Sequence, residues 1–458
     1  MNRPYHRRAT APRNVVLFAG VGGACDGARR AIGRDLDYAI NHDAAAIAAH
    51  ALNHPGTRHL RGDVFHYAPL DIIAANDWFD FIWASPTCTH FSKAKGAPLD
   101  RRVASKVRAL AWVVVRWARE AKPRVIFVEN VEGFADWGPL TNEGKPDPAR
   151  RGATFRRWVK ALRDEGYQVE WRELRACDYG APTSRKRLFV IARRDGLPIV
   201  WPAPTHGPGR IPYRSAASCI DFSIPCPSIF GRKKPLAEAT LRRIARGVRK
   251  FVIETDHPFI VGDQAAALIH RSNGERKGQA PRIYDIEKPL GTIVAGGVKH
   301  ALVSAFLAKH YGGNEGPGQS LQLPLSTITC RDHHALVTAS LEGDRRDEVR
   351  AFLTQYNGQS IGQPLQLPLG TITTRDRFGL VTVHGQAFEI RDIGMRMLTP
   401  RELARAQGFA DDYRLDPVVD GKRLGPTGQV KLIGNSVPPQ LAEALVRANV
   451  VERGAVAA

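Results

Sequence analysis

Between residues 14 and 200, short and continuously apolar runs alternate with helix-like segments. The runs begin near Val15, Asp80, Val125 and Leu188, and the longest helix-like segment covers 103–121. A strand that is apolar on both faces is typical of a parallel sheet covered by helices on both sides, because an exposed face would carry alternating polar residues. The pattern therefore predicts an α/β fold with a parallel or mostly parallel sheet.

The character of the sequence changes after Pro198, where proline, serine and short polar segments replace this alternation. A basic amphipathic helix is predicted over 236–251, since positions 232–250 hold eight Lys or Arg residues and one acid. Such a run favours a phosphate-contacting face, and a solvated helix face is the alternative.

Three copies of a P-L-x-T-I motif follow, at 289–293, 324–328 and 368–372, and each copy continues to an apolar pair. Their unequal spacing of 35 and 44 residues does not fit a solenoid of fixed period. Each copy predicts a turn followed by two short strands, with Arg331 and Arg375 between the strands of copies two and three. These arginines are predicted either to contact a ligand or to form turns.

The chain has 66 Lys and Arg residues against 45 Asp and Glu residues, a formal net charge of +21. This excess favours a polyanionic partner, either nucleic acid or an anionic membrane surface, with solubility as the alternative. No apolar run approaches the roughly 18 residues of a membrane span, and the basic start is not followed by the apolar run of a secretory signal. The six cysteines include no C-x-x-C pair, which predicts free thiols, a reducing compartment and no zinc site.

Residues suited to chemistry follow the predicted strands. Gly20, Gly22 and Gly23 lie between the first strand and a helix, where glycine permits a tight turn close to a ligand. Cys88 follows the next strand on a loop that contains proline, and Glu129 comes at the end of a third strand. Reactive groups of α/β folds lie at such strand ends, although a lone cysteine is more often a small buried apolar residue and an acid can simply cap a helix.

Six motifs, in this order along the chain, resemble the DNA cytosine-5 methyltransferase family. They are F-x-G-x-G-G at 18–23, a P-x-C-x-x-F-S-like loop at 86–92, E-N-V at 129–131, R-x-R at 185–187, R-E-x-A-R-x-x-G-F at 401–409 and G-N-S-V-P-P at 434–439. The resemblance covers about 14–200 and 390–448, with a variable block between. It implies a Rossmann-like S-adenosylmethionine-dependent methyltransferase sheet with a second, smaller, β-rich target-recognition domain.

In this resemblance, Cys88 is the nucleophile that attacks C6 of a flipped-out cytosine, and Glu129 binds N3 and the exocyclic amine. Arg185 and, less directly, Arg187 hold the base O2 and the catalytic loop. Addition at C6 makes C5 nucleophilic enough to attack a methyl sulfonium, and a base then removes the C5 proton so that Cys88 can leave. The target base must first leave the duplex stack.

The resemblance also implies S-adenosylmethionine as the cofactor, S-adenosylhomocysteine as its product, and no metal. The cofactor residues that it implies are Phe18, Gly20, Gly22, Gly23, Asp63, Leu110, Asn435 and Ser436. Leu110 is placed by spacing alone. The ribose contact falls on Asn41 or His42, with Asp43 as a third candidate.

Three positions depart from the family pattern. Thr87 and Thr89 flank Cys88 in place of the usual proline and glutamine, and Thr183 replaces a glutamine before R-x-R. Because Cys88 and Glu129 are present, the activity is still expected.

We expect a basic flexible arm at 1–13, a catalytic domain at 14–200 completed by 430–458, and a target-recognition domain at 201–429. The expected partner is double-stranded DNA, bound by a monomer without membrane contact in a prokaryotic or phage-infected cytoplasm, near the nucleoid. Restriction-modification or phage DNA modification is the family's commonest setting, and the residues specify neither a target sequence nor a cognate endonuclease. The candidate DNA contacts are Arg242, Arg246, Arg249, Lys250, Arg331 and Arg375.

Three other functions are alternatives to this one. An RNA cytosine-5 methyltransferase would share the chemistry, but the large variable block favours readout of a DNA sequence. A catalytically silent protein that binds S-adenosylmethionine and DNA does not explain the presence of Cys88 and Glu129. A dinucleotide-dependent oxidoreductase would explain the glycine loop, but not Cys88, Glu129 and Arg185 together.

Overall fold

The computed structural model describes residues 12–74, 77–87, 108–141, 146–230, 232–236, 244 and 393–451, and the backbone of the strands between 259 and 392. Among these residues, no helix has the length and apolar character needed to cross a bilayer. Most of the predicted arm at 1–13 lies outside the described residues, but Pro12 and Arg13 already belong to the first strand. Arg13 is held there by ion pairs with Asp37 and Asp77.

The structure describes seven α-helices with defined bounds. They are α1 Gly23–Ile32, α2 Ala44–Asn53, α3 Trp112–Glu120, α4 Ala153–Asp164, α5 Pro400–Gln407, α6 Pro426–Gly434 and α7 Pro439–Val446. The first eight strands are β1 Pro12–Leu17, β2 Tyr38–Asn41, β3 Arg58–Arg61, β4 Trp78–Ala84, β5 Val125–Asn130, β6 Gln168–Arg175, β7 Thr183–Ser184 and β8 Lys186–Arg193. The next nine are β9 Phe259–Val261, β10 Ala265–Arg271, β11 Ile283–Tyr284, β12 Leu290–Gly291, β13 Gly296–Val303, β14 Ala305–Lys309, β15 Thr329–Glu342, β16 Leu380–Val383 and β17 Gln386–Met397. Val418–Val419 and Lys422–Arg423 form the short hairpin β18–β19.

The first sheet has seven strands in the order β3-β2-β1-β4-β5-β8-β6. Its pairings are parallel except for those of β8, which runs antiparallel to both β5 and β6. This confirms the predicted α/β fold with a mostly parallel sheet. The strand order reverses between β1 and β4, and in open sheets of this kind ligands bind at the carboxyl ends of the strands beside such a reversal.

Apolar clusters cover both faces of this sheet, because its strands carry apolar side chains on both faces. Trp117 and Trp158 of α3 and α4 pack on one face. On the other face, Trp83 stacks on Phe127 with ring centroids 5.4 Å apart, in a cluster that also includes Leu441 of α7. The end of the chain therefore packs on the same core as its beginning.

Several predicted elements are confirmed, and others differ at their ends. Of the helix predicted over 103–121, residues 103–107 lie outside the described residues, 108–109 are helical, 110–111 form a turn, and Trp112–Glu120 form α3. The α5 helix is capped at its start by Thr399, which forms a capping box with Glu402, and it ends at Gly408 in the left-handed conformation with φ 97°. The edge strand β6, whose side chains are mostly exposed, has no apolar run and was not predicted.

The basic helix predicted over 236–251 lies largely outside the described residues, including Arg242, Arg246, Arg249 and Lys250. Residues 232–236 are not helical, so the helix does not begin at Leu236. Ile244, which lies within the predicted helix, is helical and fully buried.

The second sheet has eight strands, with the main order β11-β10-β13-β15-β17-β16. The apolar pairs that follow the three repeats lie in β13, β15 and β16. Arg331 lies within β15 and not between two short strands, so the turn alternative is wrong for it and ligand contact stays a prediction. The pairing of β15 with β13 shifts register near it, opposite Gly297. Arg375 lies outside the described residues. Leu290 and Gly291 of the first repeat form β12, which pairs in parallel with β7.

Candidate active site at the carboxyl ends of the strands

The glycine loop follows β1 at the point where the strand order reverses. Phe18, Gly20 and Gly22 have φ values of 60°, 56° and 103°, all in the left-handed region that favours glycine. Gly22 is the N-cap of α1 and offers no side chain to its first N–H groups. These donors and the helix dipole make the start of α1 suitable for a negatively charged or polar ligand group.

The loop is crowded on one side and open on the other. A Cβ on Gly22 would lie 2.5 Å from Tyr413 Oη and 2.8 Å from His54 Nε2. A Cβ on Gly23 would overlap the carbonyl of Val437. A Cβ on Gly20 would meet only the carbonyl oxygen of Phe18 at 4.0 Å. Gly22 and Gly23 are therefore required by packing, whereas the side of Gly20 leaves room for a ligand.

The segment at 434–439 packs behind this loop. Ser436 is buried, its side chain lies against Gly23, and its carbonyl accepts a hydrogen bond of 2.6 Å from Gln407 Nε2. Asn435 is exposed at the end of α6. The structure thus places Ser436 as a support of the loop and Asn435 at the surface beside it.

Polar residues also follow β2 and β3. Asp43 caps α2, accepting hydrogen bonds from the N–H groups of Ala45 at 2.9 Å and Ala46 at 3.1 Å, and its Oδ2 lies 3.1 Å from Lys431 Nζ. Burial opposes ionisation of Asp43, but the backbone hydrogen bonds and Lys431 outweigh it and lower its pKa. The carboxylate already has these partners, so the structure favours the helix-cap role for Asp43.

The other predicted cofactor residues lie around the same edge. Asn41 Oδ1 accepts a hydrogen bond from the N–H of Asp43 at 2.9 Å, and His42 is exposed. Asp63 is exposed after β3 and accepts from the N–H of Phe65 at 3.0 Å. Phe18 and Leu110 are both partly buried against the apolar cluster on the α3 face.

The ends of β4 and β5 are joined by a buried side chain. Asn130, which is 1% exposed, donates from Nδ2 to the carbonyl of Pro86 at 3.0 Å and accepts from the N–H of Val131 at 2.9 Å. Cys88 lies two residues beyond Pro86, outside the described residues. Asn130 therefore fixes the point from which the loop containing Cys88 departs, next to Glu129.

Glu129 lies at this strand end between two arginines. Its Oε1 is 3.3 Å from Arg187 Nε and 3.9 Å from Arg185 Nη2, and all three side chains are buried. Arg185 Nη1 also donates to the carbonyl of Gly434 at 3.0 Å, which links R-x-R to the segment at 434–439. The structure brings together the predicted residues Glu129, Arg185 and Arg187, with a buried carboxylate facing two cations.

Three supporting residues were not predicted as functional. Asn130 belongs to the E-N-V motif, and its place at the end of an apolar run could have indicated a structural role. Tyr413 and His54, which pack against the glycine loop, carry no local signal because they are 359 positions apart in the sequence. Among the described residues, no group of three His, Cys, Asp or Glu side chains could hold a metal ion.

Comparison with known proteins identifies relatives of the chain. The family model for C-5 cytosine-specific DNA methylase matches residues 13–231 and 335–450. The type II methyltransferase M.SacI of Streptomyces achromogenes is 31% identical over 173 residues, which are 37% of this chain and 41% of that protein. The type II methyltransferase M.AquIA of a Picosynechococcus strain is 30% identical over 199 residues, 42% of this chain and 77% of that protein.

The chain thus matches less than half the length of M.SacI and about three quarters of the length of M.AquIA. The two family segments cover more than half of the chain, and they include the glycine loop, the Glu129 site and the segment at 434–439. The mostly parallel sheet, with its loops at the strand reversal, is a Rossmann-like methyltransferase fold. The chain belongs to the C-5 cytosine-specific DNA methylase family.

Proposed function

We propose that this protein is a DNA (cytosine-5-)-methyltransferase that modifies a cytosine flipped out of duplex DNA. The observation that carries the proposal is buried Glu129, which faces Arg185 and Arg187 beside the anchored start of the Cys88 loop. A buried carboxylate at a strand end, together with a cysteine two residues beyond Pro86 in the sequence, suits addition to a pyrimidine ring better than it suits hydride transfer.

In the proposed reaction, the thiolate of Cys88 adds to C6 of the cytosine, and the electron pair of the C5–C6 double bond is delocalised over C5 and N3. A proton shared between Glu129 and N3 neutralises the charge there, and it returns to Glu129 when the thiolate leaves. C5 takes the methyl group, a base removes the C5 proton, and the returning electron pair expels the Cys88 thiolate. Arg185 and Arg187 would orient Glu129 and the base. The Cys88 thiolate and the C5 proton are thereby released, and the product cytosine keeps only the methyl group.

S-Adenosylmethionine would supply the methyl group. The open side of Gly20 and the uncapped start of α1 suit the methionine part of such a cofactor, because they combine space with free N–H donors. Phe18 would contact it from the same loop, and Asp63 and Leu110 would line the adenosine side. Asn435 would approach from the surface, while Ser436 would act through Gly23.

We propose the division into a catalytic domain at 14–200 completed by 430–458 and a target-recognition domain at 201–429, acting as a monomer. The eight-stranded sheet at 259–397 supports the second unit, because strands and their loops can present side chains to base edges in a groove. The net charge of +21 favours a nucleic-acid partner. A role in restriction-modification or phage DNA modification is the corresponding biological setting, supported by relatives named as type II methyltransferases.

Incubation with tritiated S-adenosylmethionine tests this function directly. Wild-type protein should label mixed-sequence duplex DNA and not structured RNA, and Cys88→Ser should give no label. Label on RNA alone would support an RNA methyltransferase. If neither nucleic acid is labelled although S-adenosylhomocysteine binds, a silent binding protein is the better description.

Asn130→Ala should lower kcat for methyl transfer by about 10- to 100-fold, because a displacement of the Cys88 loop by about 1 Å is enough for such a loss. The substitution leaves the buried carbonyl of Pro86 without its donor. Asn449→Ala is a matched control, since Asn449 is also fully buried and bonds Val200 at 2.8 Å and 3.0 Å. Both variants should lose thermal stability, but equal rates for the two would contradict the role of Asn130.

A further inference from the structure

A tyrosine distant in sequence holds the middle of the glycine loop. Tyr413 Oη donates to the carbonyl of Val21 at 2.6 Å, and both residues are buried. The neighbouring loop bonds run between backbone groups, from Ala19 N–H to the carbonyl of Ile40 at 3.1 Å and from Gly22 N–H to the carbonyl of Ala19 at 3.2 Å. The Val21–Gly22 peptide is thus fixed from behind by a side chain.

The hydroxyl of Tyr413 is itself held in place. His54 Nε2 lies 3.2 Å from Tyr413 Oη, and His54 Nδ1 lies 3.0 Å from Asp35 Oδ1. A phenol has one hydrogen to donate, and the shorter oxygen–oxygen distance assigns it to Val21. His54 is fully buried, so Asp35, His54 and Tyr413 form a fixed support beneath the loop.

The same tyrosine is anchored to the helix that follows the second sheet. Arg401 Nη1 donates to the carbonyl of Tyr413 at 2.9 Å, and the rings of Phe409 and Tyr413 lie 4.4 Å apart. At the start of that helix, Glu402 forms a buried ion pair with Arg396 of β17 at 2.8 Å. The position of Tyr413 is therefore set by the segment at 396–413, which leaves the second sheet.

We propose that Tyr413 is a positioning residue for the cofactor, acting through the carbonyl of Val21. This inference rests on the proposed function, because it assumes that the glycine loop holds S-adenosylmethionine. Loss of the hydroxyl would leave a buried carbonyl without a donor and let the Val21–Gly22 peptide rotate. The start of α1 would then present its N–H groups less accurately to the cofactor.

Tyr413→Phe removes one oxygen and should raise the Kd for S-adenosylhomocysteine about tenfold, as measured by titration calorimetry. The KM for S-adenosylmethionine should rise by a similar factor, while kcat and the KM for DNA stay within about twofold. Hydrogen exchange of the amides at 18–23 should accelerate. A purely structural role would instead lower all activities in proportion to the unfolded fraction.

Tyr167→Phe is the matched control. Tyr167 is buried and donates to the carbonyl of Pro123 at 2.7 Å, away from the glycine loop. It should lose comparable stability without a change in Kd. If Tyr413→Phe does not fold, His54→Gln removes the support of the hydroxyl and should raise the Kd about threefold.

The outcomes separate the two proposals. Unchanged affinity for S-adenosylhomocysteine in a folded Tyr413→Phe or, where that variant does not fold, in a folded His54→Gln would overturn the positioning role. An equal loss of affinity in Tyr167→Phe would also overturn it. A wild-type protein that does not bind S-adenosylhomocysteine would overturn the proposed function itself.

Discussion

Replacing Cys88 with alanine should lower the rate of methyl transfer to duplex DNA by at least about 1,000-fold, because the substitution removes the proposed nucleophile. Binding of S-adenosylhomocysteine should stay within about twofold of wild type, since this thiol is not among the proposed cofactor contacts. Tritium transfer and titration calorimetry measure the two quantities. This separation distinguishes a lost nucleophile from a damaged cofactor site.

A covalent trap tests the same thiol independently. In duplex DNA with 5-fluorocytosine at the target, the C5 position carries fluorine where a removable proton is needed, so the Cys88 adduct should persist on a denaturing gel. Cys219→Ala is the control, because Cys219 is buried and its pKa is raised to about 12 by burial. It should form the adduct like wild type. An adduct formed by Cys88→Ala would contradict the assignment.

The sheet could be predicted from the sequence because its strands are buried on both faces. Continuous apolar runs such as 125–128, which belong to a strand whose six residues are all buried, have few other stable arrangements. The edge strand β6 could not be predicted in the same way, since six of its eight residues are exposed and only Val169 is buried. A strand is recognised in a sequence by its apolar pattern, and this pattern is produced by burial. A strand with few buried side chains therefore gives only a weak signal.

The site residues that lie in short sequence motifs could be predicted. The site residues that meet only because the fold brings distant segments together could not. Gly22 and Glu129 lie in short motifs that follow strands, so both could be named in advance. Tyr413 contacts Val21 across 392 positions, and nothing in the local sequence indicates this contact. Likewise, Asp43 looked suitable for a ribose, but a residue at that position can also cap α2, and the structure shows that it does.

Replacing Glu129 with glutamine should lower kcat/KM for methyl transfer by about 100- to 10,000-fold. Glutamine retains the size and hydrogen-bonding capacity of the side chain, but it cannot share a proton with N3 as Cys88 adds to the ring. The substitution also removes the counter-charge of Arg187 at 3.3 Å and of Arg185 at 3.9 Å. Because these arginines are buried, the free energy of unfolding should fall by about 3 kcal/mol.

Glu132→Gln is the control for the loss of a negative charge, because it removes a carboxylate near the site without removing the proposed contact with the base. Glu132 lies three positions further along, pairs with Lys186 at 3.3 Å and has a side chain that is 33% exposed. An exposed ion pair contributes about 0–1 kcal/mol, so this variant should keep its stability and nearly all of its activity. Single-turnover rates and thermal unfolding should be compared at a temperature where both variants are folded. If cooling restored the rate of Glu129→Gln in step with its folded fraction, Glu129 would be a structural counter-ion of the two arginines and not a group that contacts the base.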